Sequence, residues 1–312
     1  MGITQLLSYY FGGIFLLWIG AKWLTEGSRG FATIFGLSKF IQGTFILAFA
    51  TGFPELIMTT TAAVKGHPTL TLGMIIGSNT INTLFVLGLG LLMQKIDATP
   101  KLLKIEFPFL IFSAIALLIV TLIGEVSRGT GVLFLLLYYS YLYMQLRSEE
   151  PPSFTFLKTK KQALIHSFIA TLSGVLLIFF GARFLLQAAI DTAAHFAVSP
   201  VIISITLVAF GAAFAEIITS LYLCIQGNSQ VSLGNIIGSN IFNTFCALGC
   251  AACFHPIKGH SKELIRDAMV LLCSYLVVFF LLRLKKELGS TTGVVLILMY
   301  ALYIFSMVVH AH

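Results

Sequence analysis

Long apolar runs dominate the chain, and each is interrupted by a short cluster of polar or turn-forming residues. Since a helix that crosses a bilayer needs roughly 20 apolar residues, each run is long enough to span a membrane. The interruptions predict ten helices, near residues 5–28, 40–64, 70–93, 105–123, 129–146, 163–190, 199–225, 231–253, 264–283 and 290–309. We therefore predict an all-α membrane protein with ten transmembrane helices and no separate soluble domain.

The composition agrees with this prediction. Of the 312 residues, 58% are hydrophobic and 10% are charged, whereas soluble domains carry about 25% charged residues. The mean hydropathy is +0.97. Because surplus Lys and Arg of a membrane protein usually lie in cytoplasmic loops, the net charge of +7 implies no nucleic-acid partner. The lipid bilayer is the predicted partner, and the sequence leaves the oligomeric state open.

The second half of the chain repeats the first after 161 residues. The segment GMIIGSNTINT, starting at Gly73, lies over GNIIGSNIFNT, starting at Gly234, and Glu55 lies over Glu216. Unrelated apolar segments share Leu and Ile by chance, but they do not share Glu, Asn, Ser and Gly in register. Five spans per half give the second copy the opposite orientation, which is the inverted-repeat arrangement of many secondary transporters.

A polar stretch over residues 147–162 is predicted to link the two halves. It divides the chain into a first five-helix repeat over residues 1–146 and a second over residues 163–312. With the N-terminus outside, 13 Lys and Arg lie on the side of this linker and six on the other. Because cytoplasmic loops are enriched in Lys and Arg, we expect a cytoplasmic linker, an outer N-terminus and a location in the cell (inner) membrane.

Two acidic residues are predicted to lie deep within spans, Glu55 in the second and Glu216 in the seventh. The other ten are predicted at helix ends or in loops. An ionisable group at membrane depth is costly and usually functional, and a pseudo-two-fold axis would bring this pair together at the midplane. No Lys or Arg is predicted at that depth, so mobile cations or protons must balance the two carboxylates. The alternative is a pair of protonated acids hydrogen-bonded to the backbone.

The residues around both acids suit a hard cation. Gly52 and Pro54 beside Glu55, and Gly211 before Glu216, weaken regular helix where carbonyl oxygens could become available. Such oxygens suit Ca²⁺, which takes six to eight of them in loose geometry, better than Mg²⁺. The third and eighth spans add polar groups: Ser78, Asn79, Asn82, Ser239, Asn240 and Asn243. These residues could instead serve only close helix packing, but their register with a duplicated glutamate favours an ion site.

At these positions the sequence resembles the calcium/cation antiporter superfamily, nearest its sodium/calcium exchanger branch. Each repeat of that family carries a segment like GTSxPE, followed by one like GSNxxN or GSNxxD. Here ATGFPE ends at Glu55 and GSNTIN ends at Asn82, whereas GAAFAE ends at Glu216 and GSNIFN ends at Asn243. The resemblance covers both repeats and most of the chain.

The resemblance implies a ten-span fold in which Glu55 and Glu216 bind calcium and backbone carbonyls at Thr51 and Ala212 complete the cage. It also implies an antiporter that exchanges calcium for sodium or another monovalent cation by alternating access, and neither an enzyme nor a protein with a cofactor. The predicted ion-binding residues are Glu55, Glu216, Thr51, Ala212, Asn82, Asn243, Ser78 and Ser239.

Four positions depart from the family pattern. Gly52, Ala212 and Ala213 replace hydroxyl residues that help to hold sodium, and Asn243 stands where many relatives have Asp. Backbone carbonyls survive a change of side chain, so the departures affect the sodium sites more than the calcium cage. Two alternatives therefore stay open: a proton-coupled calcium exchanger, and a cation channel in which the same acids form a selectivity site.

Overall fold

The computed structural model describes residues 3–147, 160–195, 200–259 and 261–310. This part of the chain forms ten continuous helical segments: α1 Ile3–Phe35, α2 Lys39–Val64, α3 Pro68–Met93, α4 Leu102–Ile123, α5 Arg128–Arg147, α6 Lys160–His195, α7 Pro200–Ile225, α8 Ser229–Phe254, α9 Lys262–Lys285 and α10 Ser290–His310. Most of the predicted linker, over 148–159, lies outside the described residues.

Eight of these helices are long and apolar enough to cross a membrane, namely α1 to α4, α6 and α8 to α10. The prediction of an almost wholly helical membrane protein is thereby confirmed. That α5 and α7 also cross the membrane stays a prediction, because α5 does not meet the same criteria of length and hydropathy and only part of α7, Ala213–Ile225, is assessed.

Two small antiparallel sheets join loops of the first half to loops of the second. Strand β1, Ile96–Asp97, pairs with β4, Glu287–Leu288, and β2, Glu125–Val126, pairs with β3, Ile257–Lys258. A salt bridge flanks each sheet, one of 2.7 Å from Lys95 to Glu287 and one of 3.3 Å from Lys258 to Glu125. The sequence did not predict these strands, because two residues are too few to produce an alternating pattern.

Helices α3 and α8 form the centre of the molecule, whereas α1 and α6 lie at its edge. In α3 and α8, 78% and 83% of the most apolar window is buried inside the protein, against 22% and 17% in α1 and α6. The main hydrophobic cluster surrounds the two central helices with residues from α4, α5, α9 and α10. The polar residues of α3 and α8 are therefore enclosed by packed apolar side chains.

Helices α1 and α6 pack closely and run antiparallel, since Gly13 lies beside Leu185 while Gly27 lies beside Thr171. A Cβ atom on Gly27 would come within 2.6 Å of the Thr171 backbone nitrogen, and one on Gly174 within 2.5 Å of the Leu24 nitrogen. Only glycine permits such an approach, as is common between membrane helices.

Four short segments wind as π-helix: Gln42–Leu47, Ile81–Val86, Leu102–Glu106 and Phe242–Ala247. The segments Ile81–Val86 and Phe242–Ala247 are related by the 161-residue repeat and contain Asn82 and Asn243. Such segments are rare in proteins and are frequently found at functional sites.

Two acidic residues predicted near helix ends are in fact buried. Glu106 is fully enclosed and Asp267 is 6% exposed. Helices α4 and α9 begin at Leu102 and Lys262, earlier than the apolar runs indicated, so both acids lie inside a helix and face neighbouring helices. Both acids lie in the first two turns of their helices, as the sequence predicts, and their burial is an additional finding.

Candidate ion-binding site

The two predicted acids lie on neighbouring helices, Glu55 on α2 and Glu216 on α7, and both are fully buried. Pro54 lies inside α2 directly before Glu55, and Thr51 lies one turn earlier with 2% of its surface exposed. The charge of Glu216 acts on Glu55, so the two carboxylates lie within electrostatic range of each other. The fold thus brings together Glu55 and Glu216, the two acids that the sequence repeat predicts in the middle of spans.

Neither carboxylate has a partner within the described part of the chain. Both oxygens of Glu55 and both oxygens of Glu216 lack a hydrogen bond, and no Lys, Arg or His among the described residues is ion-paired with either. Ser78 and Asn243 lie beside Glu55, and Thr51 lies beside Glu216, but none makes a hydrogen bond of ordinary length to a carboxylate. Buried and unpaired charge of this kind is strongly unfavourable without compensation.

Two asparagines supply further unpaired oxygens. The side-chain oxygens of Asn82 and Asn243 are buried and have no hydrogen-bond partner in the described residues. With the carboxylates of Glu55 and Glu216, they make six buried oxygen atoms that accept no hydrogen bond. Because native proteins pair nearly all of their buried polar atoms, each such exception needs an explanation, and a bound ion is one.

Hydrogen bonds cross between the central helices in a reciprocal pattern. Asn79 Nδ2 donates to Thr244 Oγ1 over 3.0 Å, and Asn240 Nδ2 donates to Thr83 Oγ1 over 3.0 Å. Asn79 Nδ2 also donates to the backbone oxygen of Asn240, and Asn240 Nδ2 to that of Asn79, over 3.2 and 3.5 Å. Each bond thus has a counterpart between the equivalent residues of the other half.

The amide nitrogens of Asn82 and Asn243 take part in the same pattern. Asn82 Nδ2 donates to Asn240 Oδ1 over 3.0 Å, and Asn243 Nδ2 donates to Asn79 Oδ1 over 3.2 Å. Asn243 Nδ2 also lies 3.4 Å from Ser78 Oγ. The nitrogens of both amides are therefore engaged by protein acceptors, while their oxygens are not.

The two serines have different neighbours. Ser78 Oγ accepts from Asn243, whereas Ser239 Oγ lies 3.4 Å from Thr51 Oγ1. The difference follows from the sequence, because the position equivalent to Thr51 in the second half is Ala212, which has no hydroxyl. Ala212 lies within α7, but its side chain is outside the described residues. The other seven predicted ion-binding residues are all buried. Contacts join them into one cluster, in which Asn82 is linked to the rest through Asn240 and Asn79.

Asn235 also belongs to this cluster, although it was not among the predicted ion-binding residues. It is fully buried, its Nδ2 donates to Ser220 Oγ over 3.1 Å, and its Oδ1 lies 3.5 Å from Thr51 Oγ1. The equivalent position in the first half is Met74. A polar residue opposite an apolar one in the repeat alignment was the signal that could have identified it.

The second pair of buried acids is satisfied by protein groups. Tyr141 donates its hydroxyl to Glu106 Oε2 over 2.9 Å, and Gln145 Nε2 donates to Glu106 Oε1. Asp267 forms a 3.0 Å salt bridge with Arg266, and Tyr303 lies beside it. Neither acid has the unpaired oxygens of the central pair, so the candidate site is confined to the residues around Glu55 and Glu216.

Comparisons with known proteins identify the family to which the chain is similar. A family model described as "Sodium/calcium exchanger protein" matches residues 6–147 and 166–309. The sodium/calcium exchanger MaX1 of Methanosarcina acetivorans is 23% identical over 94% of this chain and 95% of its own. The inner membrane protein YrbG of Escherichia coli is 26% identical over 91% of each chain.

Solved structures of the sodium-calcium exchanger NCX_Mj are similar throughout. The crystal form soaked with 10 mM Na⁺ and no Ca²⁺ superposes with a TM-score of 0.85 at 26% identity, covering 98% of this chain and 99% of that one. The form soaked with 2.5 mM Na⁺ and 0.1 mM Ca²⁺ gives 0.83, also at 26% identity. The likeness thus extends over the whole helical assembly and not only over the motifs.

Proposed function

Because the chain belongs to the sodium/calcium exchanger family, we propose that it exchanges Ca²⁺ for sodium or another monovalent cation across a membrane. Membership of this family confirms the resemblance predicted from the paired motifs. It also confirms the prediction of a transporter rather than an enzyme. The relatives named as exchangers, MaX1 and NCX_Mj, support Ca²⁺ as the substrate.

The observation that carries the proposal is the set of six unpaired buried oxygens. Ca²⁺ takes six to eight oxygen ligands at flexible distances, and carboxylates are the strongest of them. The carboxylates of Glu55 and Glu216 would hold the ion directly, and the amide oxygens of Asn82 and Asn243 would take part from α3 and α8. In this proposal, backbone carbonyls at Thr51 and Ala212 and the hydroxyls of Ser78 and Ser239 belong to the same site.

The negative charge of the two glutamates would couple the movement of one cation to that of another, without a separate gate. Two uncompensated carboxylates are expensive to enclose in a low-dielectric interior, so an occluded empty site is disfavoured. Calcium, sodium or protons can each supply the missing positive charge, and they compete for the same oxygens. The site would therefore change sides only when occupied, and the release of one cation would require the arrival of another.

We also propose that the two halves form an inverted repeat of five spans each, with residues 1–146 and 163–312 on either side of a linker. The reciprocal hydrogen bonds between equivalent residues of α3 and α8 support a pseudo-two-fold relation. In this arrangement α5 and α7 also cross the membrane. The glycine-lined pair of α1 and α6 lies at the edge, where it is free to slide during alternating access.

Orientation and location remain part of the proposal. The excess of Lys and Arg on the linker side supports a cytoplasmic linker and an outer N-terminus. Similarity to YrbG, an inner membrane protein of Escherichia coli, supports an inner membrane. A tag placed in the linker should react with membrane-impermeant reagents only after the membrane is opened, and reaction in intact cells would reverse the orientation.

Proton coupling is a second candidate for the driving reaction. It is favoured by the absence of hydroxyls at Gly52 and Ala213, since fewer oxygen ligands leave poorer sites for sodium. Carboxylates that lose their hydrogen-bond partners on burial are also suited to taking up protons. Both candidates use Glu55 and Glu216 and differ only in the cation that replaces Ca²⁺.

Counterflow from vesicles tests the proposal. Proteoliposomes are loaded with Ca²⁺, and sodium, potassium or acid is offered outside in turn. We expect Ca²⁺ efflux that needs an external cation, with sodium-driven efflux at fixed pH supporting sodium coupling and acid-driven efflux supporting proton coupling. Efflux that is equally fast without any external counter-cation would contradict antiport and favour a channel.

A further inference from the structure

We propose that Asn79 and Asn240 are positioning residues that engage the nitrogen ends of the Asn243 and Asn82 amides and so leave the oxygen ends available to a cation. This inference rests on the proposed function, because it assigns a role in binding the transported cation. An asparagine amide has an oxygen end that accepts and a nitrogen end that only donates. The oxygen end can bind a cation, whereas the nitrogen end, with its partly positive hydrogens, repels one.

The first step in this series of hydrogen bonds fixes the orientation of the Asn79 amide. Thr244 Oγ1 donates its proton to the backbone oxygen of Asn240 over 3.0 Å, so its oxygen is left to accept. Asn79 Nδ2 donates to that oxygen over 3.0 Å and to the backbone oxygen of Asn240 over 3.2 Å. Both hydrogens of the Asn79 amide therefore point to α8, and its Oδ1 atom must act as an acceptor.

The second step fixes Asn243. Its Nδ2 atom donates to Asn79 Oδ1 over 3.2 Å and to Ser78 Oγ over 3.4 Å. These two bonds use both of its amide hydrogens. The Asn243 oxygen is left buried and without a hydrogen-bond partner in the described chain. If the amide were reversed, two oxygens would face each other at the Asn79 contact, so the reversed state is disfavoured before any ion arrives.

An equivalent series of hydrogen bonds begins at Thr83 and orients the Asn82 amide. Thr83 Oγ1 donates to the backbone oxygen of Asn79 over 2.8 Å and accepts from Asn240 Nδ2 over 3.0 Å. Asn240 Oδ1 then accepts from Asn82 Nδ2 over 3.0 Å, and the Asn82 oxygen is left without a partner among the described residues. The same arrangement is thus present in both halves, so it is not confined to one amide.

The consequence is a pair of oriented ligands held by two residues outside the predicted ion-binding set. Groups that orient metal ligands typically change affinity by about 10- to 100-fold when they are removed. The threonine hydroxyls set the donor-to-acceptor direction of each hydrogen-bond series. A threonine that donates its proton to the backbone offers only an oxygen lone pair to the asparagine. Replacing either the positioning asparagine or its threonine should let the amide of Asn82 or Asn243 rotate.

A double substitution separates orientation from folding. Asn79→Leu removes the acceptor for Asn243 Nδ2, and we expect the apparent Ca²⁺ affinity in exchange assays to fall by about 10-fold or more. In an Asn243→Asp background both ends of the side chain are oxygen, so orientation no longer matters. There, adding Asn79→Leu should change the apparent affinity by less than about threefold. An equal loss in both backgrounds would overturn the proposal, because general damage to packing would not depend on residue 243.

A matched pair keeps the test decisive if the aspartate background binds Ca²⁺ poorly. Thr244→Val removes the hydroxyl that directs Asn79, whereas Thr244→Ser retains it. We expect weaker Ca²⁺ binding with valine and near wild-type binding with serine, measured as the Ca²⁺-dependent rise in melting temperature of the purified protein. Equal binding by the two variants would overturn the proposal. A wild-type protein that neither binds nor exchanges Ca²⁺ would instead refute the proposed function itself.

Discussion

Two pairs of buried acids occupy equivalent positions in the two halves, and they differ in how their oxygens are satisfied. Glu106 accepts hydrogen bonds from Tyr141 and Gln145, and Asp267 is paired with Arg266. Glu55 and Glu216 are as deeply buried, but none of their four oxygens has a partner in the described chain. Burial alone therefore does not distinguish the candidate ion site, whereas buried carboxylates without a partner do.

The two pairs of acids differ in whether the groups that compensate their charge belong to the protein or can be exchanged. The donors of Glu106 and Asp267 are protein groups that cannot leave. Tyr141 and Gln145 reach Glu106 from α5, and Arg266 lies beside Asp267 within α9. The central acids need donors or cations from outside the chain. Exchange of one such cation for another is the transport reaction proposed above, and each prediction below tests a part of this contrast.

The largest expected effect is on transport by variants of the central pair. Glu55→Gln or Glu216→Gln removes one of two charges and one of the carboxylate ligands, so we expect Ca²⁺ exchange in proteoliposomes to fall by about 100-fold or more. Glu106→Gln is the matched control, since it makes the same change at a partnered acid, and should exchange Ca²⁺ with wild-type affinity. Full activity in both central variants would remove them from the mechanism.

Ca²⁺ should stabilise the folded protein through the central acids only. At a Ca²⁺ concentration 100 times the dissociation constant, binding raises the free energy of unfolding by about 2.7 kcal/mol. We expect the corresponding rise in melting temperature in the wild-type protein and in Glu106→Gln, but not in Glu55→Gln. A Ca²⁺-induced shift of wild-type size in Glu55→Gln would mean that the ion binds elsewhere.

The partnered acid should influence stability more than transport. Tyr141→Phe removes a donor to the buried Glu106 carboxylate, which should lower the free energy of unfolding by about 1.5–3 kcal/mol. Thermal denaturation in detergent measures this loss, and the apparent Ca²⁺ affinity of exchange should stay within about threefold of wild type. A large change in affinity without any loss of stability would show that Glu106 takes part in transport.

The smallest effect is expected at the exposed ion pair of the β1–β4 sheet. The side chains of Lys95 and Glu287 are 72% and 45% exposed, and exposed pairs contribute about 0–1 kcal/mol. Lys95→Ala should therefore leave the melting temperature and the exchange rate almost unchanged. A strong loss of exchange would indicate that the link between the two halves at this face controls the transport cycle.

The central candidate residues could be identified from the sequence because they are duplicated. Glu55 and Glu216 stood out as acids in equivalent apolar runs, and the repeated GSN segments led to Asn82 and Asn243. The helices themselves followed from the apolar runs, with ends that differ from the structure by a few residues. Composition and repetition are properties of the chain alone, so no tertiary information was needed for these predictions.

Features that depend on distant contacts could not be predicted. Glu106 was placed at a helix end because the predicted span begins at residue 105, and its partner Tyr141 comes from the next helix. The π-helical segments add a residue to a turn without changing the apolar pattern. Similarly, the motif identified Asn79 and Asn240 as polar, but the direction of their hydrogen bonds depends on how α3 and α8 cross.

The central claim is that an exchangeable bound cation always neutralises the buried pair of glutamates. Equilibrium Ca²⁺ binding to the purified protein, measured with increasing sodium or potassium and over a range of pH, tests it most directly. We predict that the apparent dissociation constant for Ca²⁺ rises by at least about tenfold as the competing monovalent cation or protons fill the site. A dissociation constant that is unaffected by sodium, potassium and pH would contradict the account.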